Sequence, residues 1–122
     1  MKTKCLILFL FYIAEEVRVQ LIELLEVCLE ADHMQFLPNI GTICTMLGKA
    51  GADANPDMKI KCASFCGQLA VKLGKNVGSY FKSVVESLVQ NLQHQHSKVR
   101  KATLRGLRDV LSAKGAEPFF DG

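Results

Sequence analysis

Residues 97–112 read SKVRKATLRGLRDVLS, and two earlier segments have the same form: EEVRVQLIELLEVCLE at residues 15–30 and PDMKIKCASFCGQLAV at residues 56–71. Near its start, each segment has an apolar residue followed by a basic residue, and apolar residues then continue at helical spacing. The three apolar–basic pairs lie 41 residues apart and are Val17 and Arg18, Met58 and Lys59, and Val99 and Arg100. A fixed period of this length indicates an array of repeated units.

A second type of segment lies between these three. FLPNIGTICTML at residues 36–47 matches FKSVVESLVQNL at residues 81–92, with Phe36 falling on Phe81 at an offset of 45 residues. Both segments have helical periodicity, and none of the segments shows sustained β alternation. Asn55 followed by Pro56 predicts the start of a helix. The glycines expected to end helices are Gly48, Gly74 and Gly115.

The chain is therefore predicted to be all-α, an α-solenoid fragment of stacked antiparallel helix pairs with the period of a HEAT array. We expect the array to cover residues 14–115, with a lone second helix at 15–30 and repeats at 34–73 and 77–114. Residues 116–122 contain Phe119 and Phe120 and are expected to begin a further repeat. Apolar residues at the two ends of such a fragment are expected to stay partly exposed and to favour self-association.

The atypical N-terminal segment, residues 1–13, has three interpretations. Lys2 and Lys4 precede an unbroken apolar run from Cys5 to Ala14, which is similar to a secretory signal. The run is too short to span a bilayer, and no small-residue cleavage site follows it. A signal, a core helix and an alternative-start product all remain open.

Composition excludes several classes of protein. The chain has 122 residues and a net charge of +3, which is too small to imply a nucleic-acid or membrane partner. Five cysteines form no regular framework, which favours a reducing compartment over a disulfide scaffold. No nucleophile elbow, phosphate-binding loop or His-Glu-x-x-His motif occurs, so neither enzymatic activity nor a cofactor is predicted.

The charges are unevenly distributed along the chain. Residues 15–30 carry five Glu against one Arg, whereas residues 98–114 carry six Lys or Arg against one Asp. The basic stripe, defined as Lys98, Lys101, Arg105 and Arg108, follows one side of the last predicted helix. It is interpreted as a solvated face with Asp109 pairing Arg105, as a surface for an acidic protein partner, or as a phosphate-binding surface.

Two histidines and two cysteines are candidate metal ligands. His94 and His96 precede the last predicted helix, and Cys62 and Cys66 lie four residues apart on the middle one. Both cysteines occupy the apolar stripe, where a free thiol packs as a small hydrophobic group. The sequence therefore favours a polar turn for the histidines over a zinc site, and no metal ligand is assigned.

The residues SLVQNLQHQHSKVRKA at 87–102, together with EEVRVQLIELLEVCLE, resemble repeats of the HEAT-repeat dynein axonemal assembly factor family, factor 5. The resemblance implies a non-catalytic, cytoplasmic scaffold that helps pre-assemble axonemal dynein arms of cilia and flagella. The implied partners are axonemal dynein chains, folding chaperones and neighbouring repeats of a longer chain. The alternatives are a HEAT scaffold in transport or translation control, and a small secreted or membrane-anchored protein.

Overall fold

The computed structural model describes residues 15–74 and 78–112, and these residues form five α-helices joined by turns and two short 3-10 helices. The helices are α1 (Glu15–Ala31), α2 (Ile40–Ala50), α3 (Pro56–Leu73), α4 (Lys82–Asn91) and α5 (Ser97–Ser112). The 3-10 helices are His33–Asn39 and Gly78–Tyr80, and no strand occurs among the described residues. The predicted all-α class is confirmed. The predictions for residues 1–13, for residues 116–122 and for Gly115 lie outside the described residues.

The helices stack in two layers. In the first layer α3 packs between α1 and α5, and in the second layer α2 packs against α4. Short turns at residues 51–55 and 92–96 connect a helix of the second layer to the next helix of the first. Such an arrangement buries the apolar side of each helix against its neighbours, because no helix pair can bury that side alone.

Helix α3 begins and ends where its sequence indicates. The Asn55 side chain accepts a hydrogen bond from the Met58 backbone N–H over 3.1 Å, and Pro56 occupies the first turn. Gly74 ends the helix with a φ of 53°, a conformation that glycine adopts at little steric cost. The predictions for Asn55, Pro56 and Gly74 are confirmed.

Two local predictions are wrong. Residues 36–39 belong to a 3-10 helix, and α2 begins only at Ile40, because Pro38 has no N–H to contribute to an α-helical ladder. Gly48 lies inside α2 and does not end it. A Cβ at Gly48 would lie 3.0 Å from Cβ of Ser83, so the absent side chain allows α2 and α4 to approach closely.

The core lies between the two layers. Its largest fully buried side chains include Phe65 and Met58 from α3, Ile22 from α1, and Phe81, which immediately precedes α4. The rings of Phe36 and Phe65 lie 6.1 Å apart and are tilted by 44°, a favourable arrangement for an aromatic pair. Apolar burial of this kind is the main source of stability in the array.

Candidate functional site

The four residues of the basic stripe are all exposed on α5. Among the described residues, the nearest carboxylate contact to the stripe joins Arg108 Nε to Asp109 Oδ1 at 3.9 Å, and the Arg108 side chain is 73% exposed. Asp109 therefore does not form the predicted pair with Arg105. Its carboxylate instead lies beside α3, where a Cβ at Gly67 would be 3.0 Å from Asp109 Oδ2. The stripe thus keeps most of its charge available to a partner.

The structure divides the basic stripe into two parts. In the 41-residue repeat, Lys98 and Arg105 of α5 correspond to Asp57 and Ser64 of α3. Asp57 and Ser64 are exposed even though α3 has a neighbouring helix on each side. These positions form the open face of the first layer. Lys98 and Arg105 can therefore contact a partner that approaches the layer from solvent.

Lys101 and Arg108 stand at different positions of the repeat. Their counterparts on α3 are Ile60, which is half-buried, and Gly67, which is buried. Gly67 lies against α5, so these positions face the next helix of the layer. We call this side of α5, formed by Lys101, Leu104, Arg108 and Leu111, the far face.

Three acidic residues of α1, Glu23, Glu26 and Glu30, are paired with lysines of α3. Lys61 Nζ on α3 lies 3.1 Å from Glu23 Oε2 and 3.8 Å from Glu26 Oε1, and Lys72 Nζ lies 3.0 Å from Glu30 Oε1. The hydrogen bond to Glu23 is the main reason that the pKa of Lys61 is raised above its usual range. The charges between α1 and α3 therefore largely neutralise each other.

Arg18, the first basic repeat residue, binds the turn between α2 and α3. Its Nη2 lies 3.0 Å from Asp53 Oδ2 and 3.2 Å from Asp53 Oδ1. The same Asp53 carboxylate accepts a hydrogen bond from the Asn55 backbone N–H over 2.9 Å. Arg18 thus joins α1 to the residues that cap α3.

Lys59, the second basic repeat residue, joins two turns. Its Nζ donates to the backbone oxygen of Gly51 over 3.1 Å and to Asn91 Oδ1 over 2.8 Å. Asn91 Nδ2 donates to the same Gly51 oxygen over 2.7 Å, and Asn91 is only 5% exposed. The amide therefore has partners on both sides, as a buried polar group requires.

Arg100, the third basic repeat residue, fastens the turn before α5. Its Nη1 donates to the backbone oxygens of His94 and Gln95 over 2.7 and 3.0 Å. The apolar residues that precede the basic ones differ in burial: Met58 and Val99 are buried, whereas Val17 is 42% exposed. The three basic repeat residues thus bind turns. The sequence does not predict the side-chain partners of Arg18 and Lys59, which are Asp53 and Asn91.

The histidines and cysteines lie in separate environments. The His96 backbone N–H donates to His94 Nδ1 over 3.0 Å in the turn between α4 and α5, and the two rings lie 5.1 Å apart. Cys62 and Cys66 are buried in α3 with their sulfurs 3.9 Å apart. Within residues 15–74 and 78–112, no group of three or more His, Cys, Asp or Glu side chains is placed to hold a metal ion.

A groove of about 390 Å³ separates the N-terminal turns of α3 and α5 beside Lys98. Ile60 and Val99 contribute apolar side chains to it, while Asp57 and His96 contribute polar ones. Ser97 and Lys98 also line the groove, which offers contact surface to a partner beside the basic stripe.

A family model matches residues 11–120 of the chain, and its description is "Dynein axonemal assembly factor 5-like, TPR repeats". The chain belongs to this family. The match spans every described helix, so family membership rests on the whole array. No solved structure matches the chain.

The family description names TPR repeats, whereas the sequence predicts the HEAT type. The apolar–basic pairs recur every 41 residues, a spacing nearer the HEAT period of about 40 to 47 residues than the TPR period of about 34. Both types are all-α arrays of paired helices, so the two assignments agree on the fold.

A curated relative, dynein axonemal assembly factor 5 of Xenopus laevis, is 26% identical to the chain over 109 residues. The matched region covers 89% of this chain and 13% of the relative. The chain therefore corresponds to a small part of that relative. None of the described helices is long and apolar enough to cross a membrane.

Proposed function

We propose that the chain is a non-catalytic scaffold unit of a cytoplasmic factor for the pre-assembly of axonemal dynein arms. Family membership supports this proposal, because the related Xenopus laevis protein is named a dynein axonemal assembly factor. The unit acts by holding protein partners, with neighbouring repeats of a longer chain extending the array.

The observation that carries the binding role is the unpaired charge on α5. Glu23, Glu26 and Glu30 of α1 are paired with Lys61 and Lys72, whereas Lys98 and Arg105 have no carboxylate partner among the described residues. A partner with an acidic surface gains from contact with these two side chains, because complementary charge directs association and fixes orientation. The proposed partners are axonemal dynein chains and the chaperones that fold them.

The stripe is better suited to an acidic protein than to nucleic acid. Nucleic-acid surfaces that bind single strands combine basic residues with exposed aromatic rings on which bases stack. Among the described residues of α5 there is no aromatic side chain. The proposed partner is therefore an acidic segment or surface of a protein.

The test is affinity isolation of the tagged chain, and of its longer parent protein, from the cytoplasm of ciliated cells. Arg105→Glu reverses one charge on the open face, and Lys82→Glu makes the same change at an exposed site on α4. We expect axonemal dynein chains and chaperones to co-purify with the wild type and the Lys82→Glu variant, and to be lost with Arg105→Glu. Transport or translation factors in their place would overturn the dynein assignment, and equal recovery by both variants would overturn the role of the stripe.

A further inference from the structure

The groove between α3 and α5 opens on the open face of the first layer, because Asp57 and Lys98 of that face line it. Pro56 and Ile60 are half-buried in its α3 wall, and Val99 of α5 lies beneath the surface at 0% exposed. Its volume of about 390 Å³ falls within the range of about 300 to 1,000 Å³ that is usual for ligand pockets. The groove lies between two neighbouring helices, so it needs no free end of the array and has room for an apolar side chain of a partner.

Charged side chains stand on the two rims of the groove. Lys98 is exposed on the α5 rim and Asp57 on the α3 rim, and neither forms an ion pair with another described residue. Arg105 is exposed two turns beyond Lys98, a rise of about 10 Å along α5. A carboxylate near the groove is therefore attracted to the α5 rim and repelled from the α3 rim.

Acidic side chains bound this cationic stretch of α5 at both ends. Asp57 lies on the groove where the stretch begins, and Asp109 follows Arg105 by one turn with its side chain 40% exposed. The Asp109 carboxylate lies toward α3, since a Cβ at Gly67 would be 3.0 Å from Asp109 Oδ2. A long acidic tract would therefore meet like charge at both ends, whereas two carboxylates about 10 Å apart match Lys98 and Arg105 alone.

The seam between α1 and α3 lacks this pattern. The 41-residue repeat places Asp57 and Ser64 of α3 where α5 has Lys98 and Arg105. The lysines of α3 that lie toward α1 are already paired with its glutamates. The charges of the array therefore direct an acidic segment to the seam between α3 and α5.

We propose that the groove binds an acidic amphipathic helix of a protein partner, which inserts one apolar side chain between α3 and α5 and directs two carboxylates to Lys98 and Arg105. An α-helix fits because residues seven positions apart lie on one side, at the same rise of about 10 Å that separates the two cations. The apolar side chain displaces water from the walls formed by Pro56 and Ile60, and the carboxylates fix the orientation of the helix. The inference rests on the proposed scaffold function and names the segment that such a partner must present.

The test is fluorescence anisotropy of two labelled peptides of about 18 residues, long enough to form a helix, titrated with the purified full chain to about 200 µM. Each peptide has an alanine and glutamine background with two glutamates two turns apart. A single leucine stands one turn before the first glutamate in one peptide and one turn after the second in the other, so that both directions of binding are covered. A third peptide of each kind, with serine in place of leucine, lacks the apolar side chain.

Variants of the chain separate the apolar contact from the charge contact. Ser97→Tyr fills the groove from an exposed position, and Ser79→Tyr makes the same change on the 3-10 helix Gly78–Tyr80, which does not line the groove. Lys98→Gln removes the cation on the rim, and Lys82→Gln is its matched control on α4. Circular dichroism melting confirms that the variants fold like the wild type.

We expect one of the two leucine peptides to bind with a dissociation constant of about 10 to 100 µM. Ser97→Tyr, Lys98→Gln and the exchange of leucine for serine should each weaken binding at least about fivefold, while Ser79→Tyr and Lys82→Gln should change it by less than about twofold. Asp57→Asn should strengthen binding about twofold, because it removes the like charge on the α3 rim.

Absence of binding by both leucine peptides would overturn the proposal. Weakening by Lys98→Gln without weakening by Ser97→Tyr would overturn it as well, since charge alone would then hold the peptide, and the scaffold function would remain. Binding as expected supports the groove even if affinity isolation recovers neither dynein chains nor chaperones, in which case the dynein assignment alone fails.

Discussion

Lys59 Nζ on α3 and Asn91 Oδ1 at the end of α4 form a hydrogen bond of 2.8 Å that joins one helix pair to the next. Both side chains also bind the backbone oxygen of Gly51, in the turn between α2 and α3. Three segments of the array therefore meet at one polar contact. Because Asn91 is buried, the contact fixes how far one helix pair is displaced along the other.

Asn91→Ala is expected to lower the free energy of unfolding by about 1 to 3 kcal/mol, because it leaves the half-buried Lys59 ammonium and the buried Gly51 carbonyl with fewer partners. Lys59→Met should be destabilising as well, and a double-mutant cycle in urea should give a coupling of about 1 kcal/mol. Lys72→Met is the control, since the exposed pair with Glu30 contributes less than about 1 kcal/mol. If Asn91→Ala cost no more than Lys72→Met, the contact would not stabilise the array.

Gly106→Ala is expected to be strongly destabilising. A Cβ at this position would lie 2.5 Å from the Ala63 backbone oxygen, and backbone cannot move aside without separating α3 from α5. The expected loss in the free energy of unfolding is about 1 to 3 kcal/mol, as for other overpacked sites.

Gly41→Ala provides the matched control for Gly106→Ala. A Cβ at Gly41 would meet only the Tyr80 ring, at 3.3 Å, and that half-exposed ring can shift. Since alanine favours a helix by about 1 kcal/mol over glycine, this variant should be neutral or more stable. Equal effects of the two substitutions in thermal unfolding would show that the approach of α3 and α5 is not sterically limited.

Stability should fall when the pH decreases through the range in which His94 titrates. Partial burial, with His96, Lys59 and Arg100 nearby, lowers the pKa of His94 below its usual value of 6.5 in the folded chain. At pH values between the lowered pKa of His94 in the folded chain and 6.5, the unfolded chain binds more protons than the folded chain. The contribution of His94 to the free energy of unfolding is therefore present above pH 6.5 and is lost as the pH falls through that window.

His94→Gln should therefore flatten the dependence of the melting temperature on pH between about 7.5 and 5. Gln93→Asn, an exposed substitution one residue earlier that does not titrate, should leave the slope as in the wild type. An unchanged slope in His94→Gln would show that His94 does not contribute to this pH dependence.

The thiols of the described residues should differ in reactivity. Cys44, Cys62 and Cys66 are buried, whereas Cys28 is half-buried. Burial raises the pKa of Cys44 to about 12, and a hydrogen bond to Cys62 together with burial raises the pKa of Cys66. Because the thiolate is the reactive form, a thiol reagent at pH 8 should label Cys28 in the folded chain and the other three only after unfolding.

Mass spectrometry after brief and prolonged labelling would locate the modified thiols. Cys28→Ser should remove the early label from α1 and leave the late labels of Cys44, Cys62 and Cys66 unchanged. Early labelling of Cys66 in the folded chain would contradict the burial of α3 between its neighbours.

The helical class and the period could be predicted because they depend on local patterns. Apolar residues at helical spacing define one side of each helix, and the capping residues Asn55 and Gly74 mark both ends of α3. Gly48 was misassigned because glycine has two roles, ending helices and allowing close approach. Only its contact with Ser83 of α4 distinguishes the second role from the first.

The sequence by itself determined that the chain is an all-α repeat array, since each repeat carries its own helical pattern and the pattern recurs every 41 residues. Only the tertiary structure decided which partners the basic repeat residues have. Arg18 binds Asp53 from 35 residues away and Lys59 binds Asn91 from 32 residues away. The tertiary structure also divided the basic stripe between the open face and the far face. These outcomes depend on the offset at which consecutive helices stack, and that offset is set by close contacts such as Gly106 with Ala63 rather than by the pattern of any one helix.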